Sequence, residues 1–178
     1  MKRWTWKSTV WILLYVGMIT TIVLVLSRVQ QQVQNGTLDP DAQQHWDQWL
    51  ETMVRQVIDG YLRGTEFGIK MTGDALVTAG SIHTQLTWMD AAIDGVAFTP
   101  RHGKAVEVNA LWYHALSAMA KVLKESDGHT ADHYDKLARR VKRSFAKVFW
   151  DEPLGHLRDH VSTDSDGDDH VDFSLRPN

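Results

Sequence analysis

The sequence predicts an all-α protein, and three observations carry that prediction. Apolar residues recur at helical spacing in three long segments, glycine-rich stretches separate those segments, and strand-like alternation is scarce. The chain has 178 residues, enough for about one domain, with 43% apolar residues and a net charge of −3. That balance leaves no basic footprint, so nucleic acid is not an expected partner. With no cysteine there is no disulfide, no thiolate nucleophile and no cysteine-based zinc site.

The elements follow in order. After the polar stretch QQQVQNGTLDPD, Asp39 and Pro40 suit the N-cap and first position of a helix. Trp46, Trp49, Leu50, Met53, Val54, Val57, Ile58, Tyr61 and Leu62 give it an apolar stripe, and Gly64 is placed to end it. Thr65 to Gly80 is punctuated by glycine and reads as a loop with short extended pieces. A second helix is expected from Lys104 to Lys124, its apolar face made by Val108, Leu111, Trp112, Ala115, Met119 and Val122. A third, from about Thr130 to Trp150, buries Tyr134, Leu137, Ala138, Val141, Phe145, Val148 and Phe149. Its opposite face carries Lys136, Arg139, Arg140, Lys142 and Arg143, which reads as a solvated surface.

The N-terminus divides the chain into an apolar segment with its linker, residues 1–37, and a domain over residues 38–178. Val10 to Leu26 is apolar apart from Gly17, Thr20 and Thr21. As a helix it would be about 25 Å long, at the short end for crossing a bilayer. Lys2, Arg3 and Lys7 precede it and Arg28 follows, which predicts an N-terminus on the inside. An uncleaved single-pass anchor through residues 10–26 is one reading; a frameshifted or mis-started gene is the other.

The densest chemistry lies between Gln85 and Ala115. Asp90 directly follows Trp88 and Met89, and a second block supplies Arg101, Lys104, Glu107, Asn109 and Trp112. A carboxyl beside an aromatic ring suits work on sugars: the ring packs on the apolar face of a pyranose, and apolar surroundings favour the protonated acid. The same residues also suit plain structural roles. Trp88, Met89 and Trp112 fit a core, Asp90 and Glu107 fit helix starts, and Arg101 and Lys104 fit a loop brace.

The stretches GTEFGIKM, QLTWMDA, TPRHGKAVEVNALWY, SFAKVFW and LRPN, between Trp46 and Asn178, resemble the C-terminal domain of bacterial and archaeal glycogen debranching enzymes, the amylo-alpha-1,6-glucosidases. The resemblance implies an (α/α)6 toroid, here partial and preceded by an apolar helix, in a cytoplasmic enzyme acting on α-1,6 branch linkages of glycogen or limit dextrin. It implies an inverting mechanism with Asp90 as general acid and a carboxylate across the sugar activating water. Trp88 and Trp112 would then stack on the sugar, while Arg101, Lys104 and Glu107 would bond its hydroxyls. No cofactor is implied, since two carboxylates suffice. In the family the base lies beyond the LRPN motif, so the resemblance implies an incomplete, inactive piece whose exposed apolar helix faces invite association. The competing expectation is a membrane-anchored, non-catalytic carbohydrate-binding or scaffold protein.

Two patterns carry less. His129 with His133, and His156 with His160, are four apart, but neither pair has an evident third ligand; surface histidines and no metal are expected. The acidic tract from Asp164 to Asp169 lacks the glycine and the glutamate that a calcium loop needs.

Overall fold

The computed structural model describes residues 31, 40–94, 96–163 and 169–174. The apolar run at residues 10–26 and the acidic tract at 164–168 lie outside them. Among the described residues no helix is long and apolar enough to cross a membrane. The chain divides into two compact units, Met1–Arg55 and Gln56–Asn178.

Helix α1, Pro40–Arg63, begins at the proline expected to open it and buries Leu50, Val54, Ile58 and Tyr61. These four recur every three or four residues, the spacing of one helix face. Trp49, counted in that stripe from sequence, is instead exposed. Gly64 ends the helix at φ +90, its N–H donating to the Gly60 carbonyl at 2.8 Å. Only glycine takes this left-handed conformation at little cost.

The expected all-α toroid is not what the chain forms. Among the described residues there are three α-helices, one 3-10 turn (Glu66–Gly68) and nine short strands, seven of them two residues long. Hairpin β1–β2 (Lys70–Met71 and Val77–Thr78) and hairpin β3–β4 (Ala92–Ile93 and Val96–Ala97) precede the second helix. Strand β5 (Lys104–Ala105) pairs with β8 (His160–Thr163), and β8 with β9 (Asp169–Asp172), all antiparallel. Strands β6 (Trp150–Asp151) and β7 (His156–Leu157) close a further hairpin. Two-residue strands are too short to show alternation, so the 3.6-residue helix period dominates the sequence pattern and the sheet content stays hidden.

Helix α2, Val106–Val122, starts two residues later than expected because Lys104 and Ala105 are held in β5. Its inward face is also rotated from the expected one. Val106, Asn109, Trp112, Leu116 and Met119 are buried, whereas Leu111 and Val122 are exposed. This helix is apolar most of the way round, so spacing alone does not choose the face; polar Asn109 does. Fully buried, it accepts the Val77 N–H at 2.7 Å and donates to the carbonyls of Val77 and Ala105, each at 3.0 Å. Orphaning those backbone groups would cost about 1–3 kcal/mol each, which fixes the helix rotation. Trp112 then packs its ring against Tyr61, with centroids 5.5 Å apart, and donates its indole N–H to the Ala75 carbonyl at 3.1 Å.

Helix α3, Gly128–Phe149, packs on α2 after the short turn at 123–127. Asp127 caps it, its side chain accepting the Thr130 N–H at 3.1 Å. Tyr134, Leu137, Ala138, Val141 and Phe149 are buried as expected, with Phe145 and Val148 half-buried. Lys136, Arg139, Arg140, Lys142 and Arg143 are all exposed, as a solvated face requires. The association expected through exposed apolar helix faces finds no support: among the described residues the most exposed large apolar side chains are Ile82, Ile93, Val96 and Phe98, at 62–69%, in and around the β3–β4 hairpin rather than on a helix.

Candidate active site and its braced loop

The segment between β2 and β3 carries the TWMD motif as irregular backbone rather than as a helix start. Thr87 is buried and anchors it. Trp88 is 52% exposed, and Asp90 is also exposed two residues on. Neither side chain makes a hydrogen bond, ion pair or ring contact among the described residues. An indole face and a carboxyl held out on the same short stretch remain available to a ligand from solvent.

The block from Arg101 to Trp112 behaves differently, because its charged groups turn toward one another. Arg101 is 4% exposed. Its Nε donates to Asp159 Oδ2 at 2.8 Å and its Nη2 to Asp159 Oδ1 at 2.8 Å, a two-point fork. Nη1 and Nη2 also reach the Glu107 carboxylate, at 2.5 and 2.6 Å. Burial works against the charged guanidinium, yet its hydrogen bonds to Glu107 and Asp159 outweigh it and hold its pKa above the ordinary value. Bidentate pairing of this kind fixes geometry as well as charge. It ties the loop before β5, the first turn of α2 and the start of β8 into one unit.

Lys104 is braced in the same way. Its ammonium donates to Asp74 Oδ2 at 2.7 Å. Asp74 sits in the β1–β2 turn, where its other oxygen accepts the Thr72 hydroxyl at 2.6 Å and the Leu76 N–H at 3.1 Å. Burial raises the Asp74 pKa, but these donors, Lys104 first among them, bring it below the usual carboxylate value. Gly103 completes the brace by letting the loop lie against β8. At φ +91, a Cβ there would meet the Val161 carbonyl at 2.5 Å and Ser162 Cα at 2.8 Å.

Six residues were singled out from sequence, and the structure sorts them into two groups. Asp90 and Trp88 stand exposed on the TWMD loop. Arg101 bonds both Glu107 and Asp159, Lys104 meets Asp74, and Trp112 lies in the core against Tyr61 and Ala75. Sequence reasoning missed Asp159, which lies 58 residues from Arg101 along the chain. No local pattern marks it. Only the pairing of β5 with β8 brings the two together.

A family model described as amylo-alpha-1,6-glucosidase matches residues 4–178. The match begins well before Trp46 and takes in the apolar N-terminal run. No curated protein and no solved structure matches the chain. With the match spanning nearly the whole sequence, the chain belongs to the amylo-alpha-1,6-glucosidase family.

Proposed function

We propose that Asp90 is the general acid, and Trp88 the platform beneath the sugar, in cleavage of α-1,6-glucosidic linkages of a branched, cytoplasmic α-glucan, and that this chain by itself turns such a glucan over weakly at most. The observation that carries this reading is the exposure of both side chains on one four-residue motif, without internal partners among the described residues. An indole face left in water offers a pyranose ring a large apolar contact. A carboxyl two residues away can give its proton to the departing glycosidic oxygen while a second carboxylate activates water from the opposite side.

Neither Glu107 nor Asp74 is proposed for that second role, since Arg101 and Lys104 hold their oxygens. Arg101, Lys104 and Glu107 act instead as the rigid frame of the loop, and Trp112 as core beneath it. Glu66 and Asp94 are the exposed carboxylates nearest the motif in sequence.

The test compares two substrates. A branched limit dextrin needs a proton on its leaving oxygen; α-glucosyl fluoride, whose leaving group departs as a stable anion, does not. Asp90→Asn is expected to slow glucose release from dextrin by about 10²–10⁴-fold, while changing fluoride hydrolysis only a few-fold. Equal losses on both substrates, or no loss on dextrin, would each reject the role of Asp90, and robust glucose release by the unaltered chain would overturn the weak turnover expected of it.

A further inference from the structure

The ribbon of β8 and β9 gathers a second cluster that the glucosidase reading does not use. In its register His160 stands opposite Asp172, and Ser162 opposite His170, so these four side chains share one face of the ribbon. Asp159, immediately before β8, is pinned on three sides. Its N–H donates to the Asp172 carbonyl at 2.8 Å, its own carbonyl accepts the Val106 N–H at 3.0 Å, and its carboxylate holds Arg101.

His160 lies among these groups. It is 8% exposed, and its Nδ1 is buried with no hydrogen-bond partner. That nitrogen is 3.7 Å from Asp159 Oδ2 and 3.8 Å from Asp172 Oδ2. Both distances are too long for a hydrogen bond. They are close to the spacing between two ligands of one metal ion: bonds of about 2.0–2.2 Å in a tetrahedral shell place neighbouring ligand atoms roughly 3.3–3.6 Å apart. One ligand atom each from Asp159, His160 and Asp172 falls within 4.8 Å of the others.

We propose that Asp159, His160 and Asp172 bind a divalent cation of the zinc class, with a fourth position left to water. The donor set is one imidazole nitrogen and two carboxylate oxygens. Calcium and magnesium prefer all-oxygen shells, whereas imidazole draws zinc and its transition-metal neighbours.

Asp159 can serve both partners. Each of its oxygens accepts a hydrogen bond from Arg101, and a carboxylate oxygen can bond a cation while it accepts one. Arg101 then does for Asp159 what outer-shell partners do at metal sites generally, fixing the ligand's orientation. His102, whose ring centroid is 6.4 Å from that of His160, also has a buried Nδ1 without a hydrogen-bond partner. The cation would bind the β8–β9 ribbon together where it meets the braced loop, whatever the chain's activity on glucans.

The experiment titrates the full chain, first stripped with a chelator, with zinc chloride alone by calorimetry, and with cobalt as a spectroscopic stand-in. The expected result is one saturable equivalent, a rise in thermal midpoint, and a cobalt spectrum of low coordination number with nitrogen ligation. Asp172→Asn and His160→Gln should each weaken zinc at least tenfold. His133→Ala, which removes one of the exposed pair His129 and His133 on α3, should leave the affinity unchanged. If His160→Gln fails to fold, Asp172→Asn and the cobalt spectrum of the unaltered chain decide. Absence of saturable binding, unchanged affinity in Asp172→Asn, or loss of the site with His133→Ala would each overturn the proposal.

Discussion

Replacing Arg101 with alanine removes a side chain that makes five hydrogen bonds among the described residues. The guanidinium makes two contacts to the Asp159 carboxylate, one to the Asp159 carbonyl at 3.4 Å, and two to Glu107. The side chains of Arg101 and Asp159 are 1% and 0% exposed, so in Arg101→Ala water cannot readily take over at Asp159. Breaking a buried pair from one side costs about 3–5 kcal/mol, chiefly through the charge left behind. Glu107 adds less, because its side chain is 18% exposed and water can reach it. For a chain of this length each kcal/mol lowers the melting temperature by about 2–4 °C, so a fall of roughly 6–20 °C is expected. Arg101→Lys should recover only part of it, since one ammonium cannot fork onto two carboxylates. The assay is thermal and urea unfolding at neutral pH, followed by far-UV circular dichroism. A change below about 1 kcal/mol in Arg101→Ala, with dextrin KM rising instead, would mean that Arg101 serves the sugar and that the brace is not what holds this loop.

Asn109→Ala should destabilise by about 1–3 kcal/mol for each Val77 or Ala105 backbone group it leaves unbonded, measured by urea unfolding. Asn109→Asp should fare no better, because a carboxylate cannot donate to the two carbonyls that Asn109 serves. Trp88→Ala should leave the melting temperature unchanged, since the ring is half exposed, and raise dextrin KM about two- to twelvefold if stacking contributes roughly 0.5–1.5 kcal/mol. Stability should also fall with acid in two windows. Burial holds His102 and His160 below the ordinary 6.5, so the unfolded chain takes up protons first; their contribution is complete above pH 6.5 and declines as pH drops toward the folded values. Asp74 is held below 3.8, so its contribution is present above that pH and is lost as pH falls through the lower folded value. Urea midpoints between pH 8 and 3 would check both windows, and a flat profile from about 7 to 5 would contradict the histidine part.

The features legible in the residues before folding are local in origin. Proline 40 and Gly64 bound α1 because one has a preset φ and the other tolerates a positive one. The third helix was legible for a similar reason: its apolar and basic residues fall on opposite faces over six turns, so only one rotation buries the former. The TWMD motif and its neighbours were enough to identify the family. The rest depended on partners distant in sequence. Strands of two residues have no pattern of their own and exist because another strand lies beside them. The face of α2 was decided by Asn109 reaching Val77, 32 residues away. Arg101 and Glu107 were visible as charged residues near a motif, but whether they turn outward to a ligand or inward to each other depended on Asp159. A charge's role is set by the nearest opposite charge and by how much water reaches it, and both are properties of the folded chain.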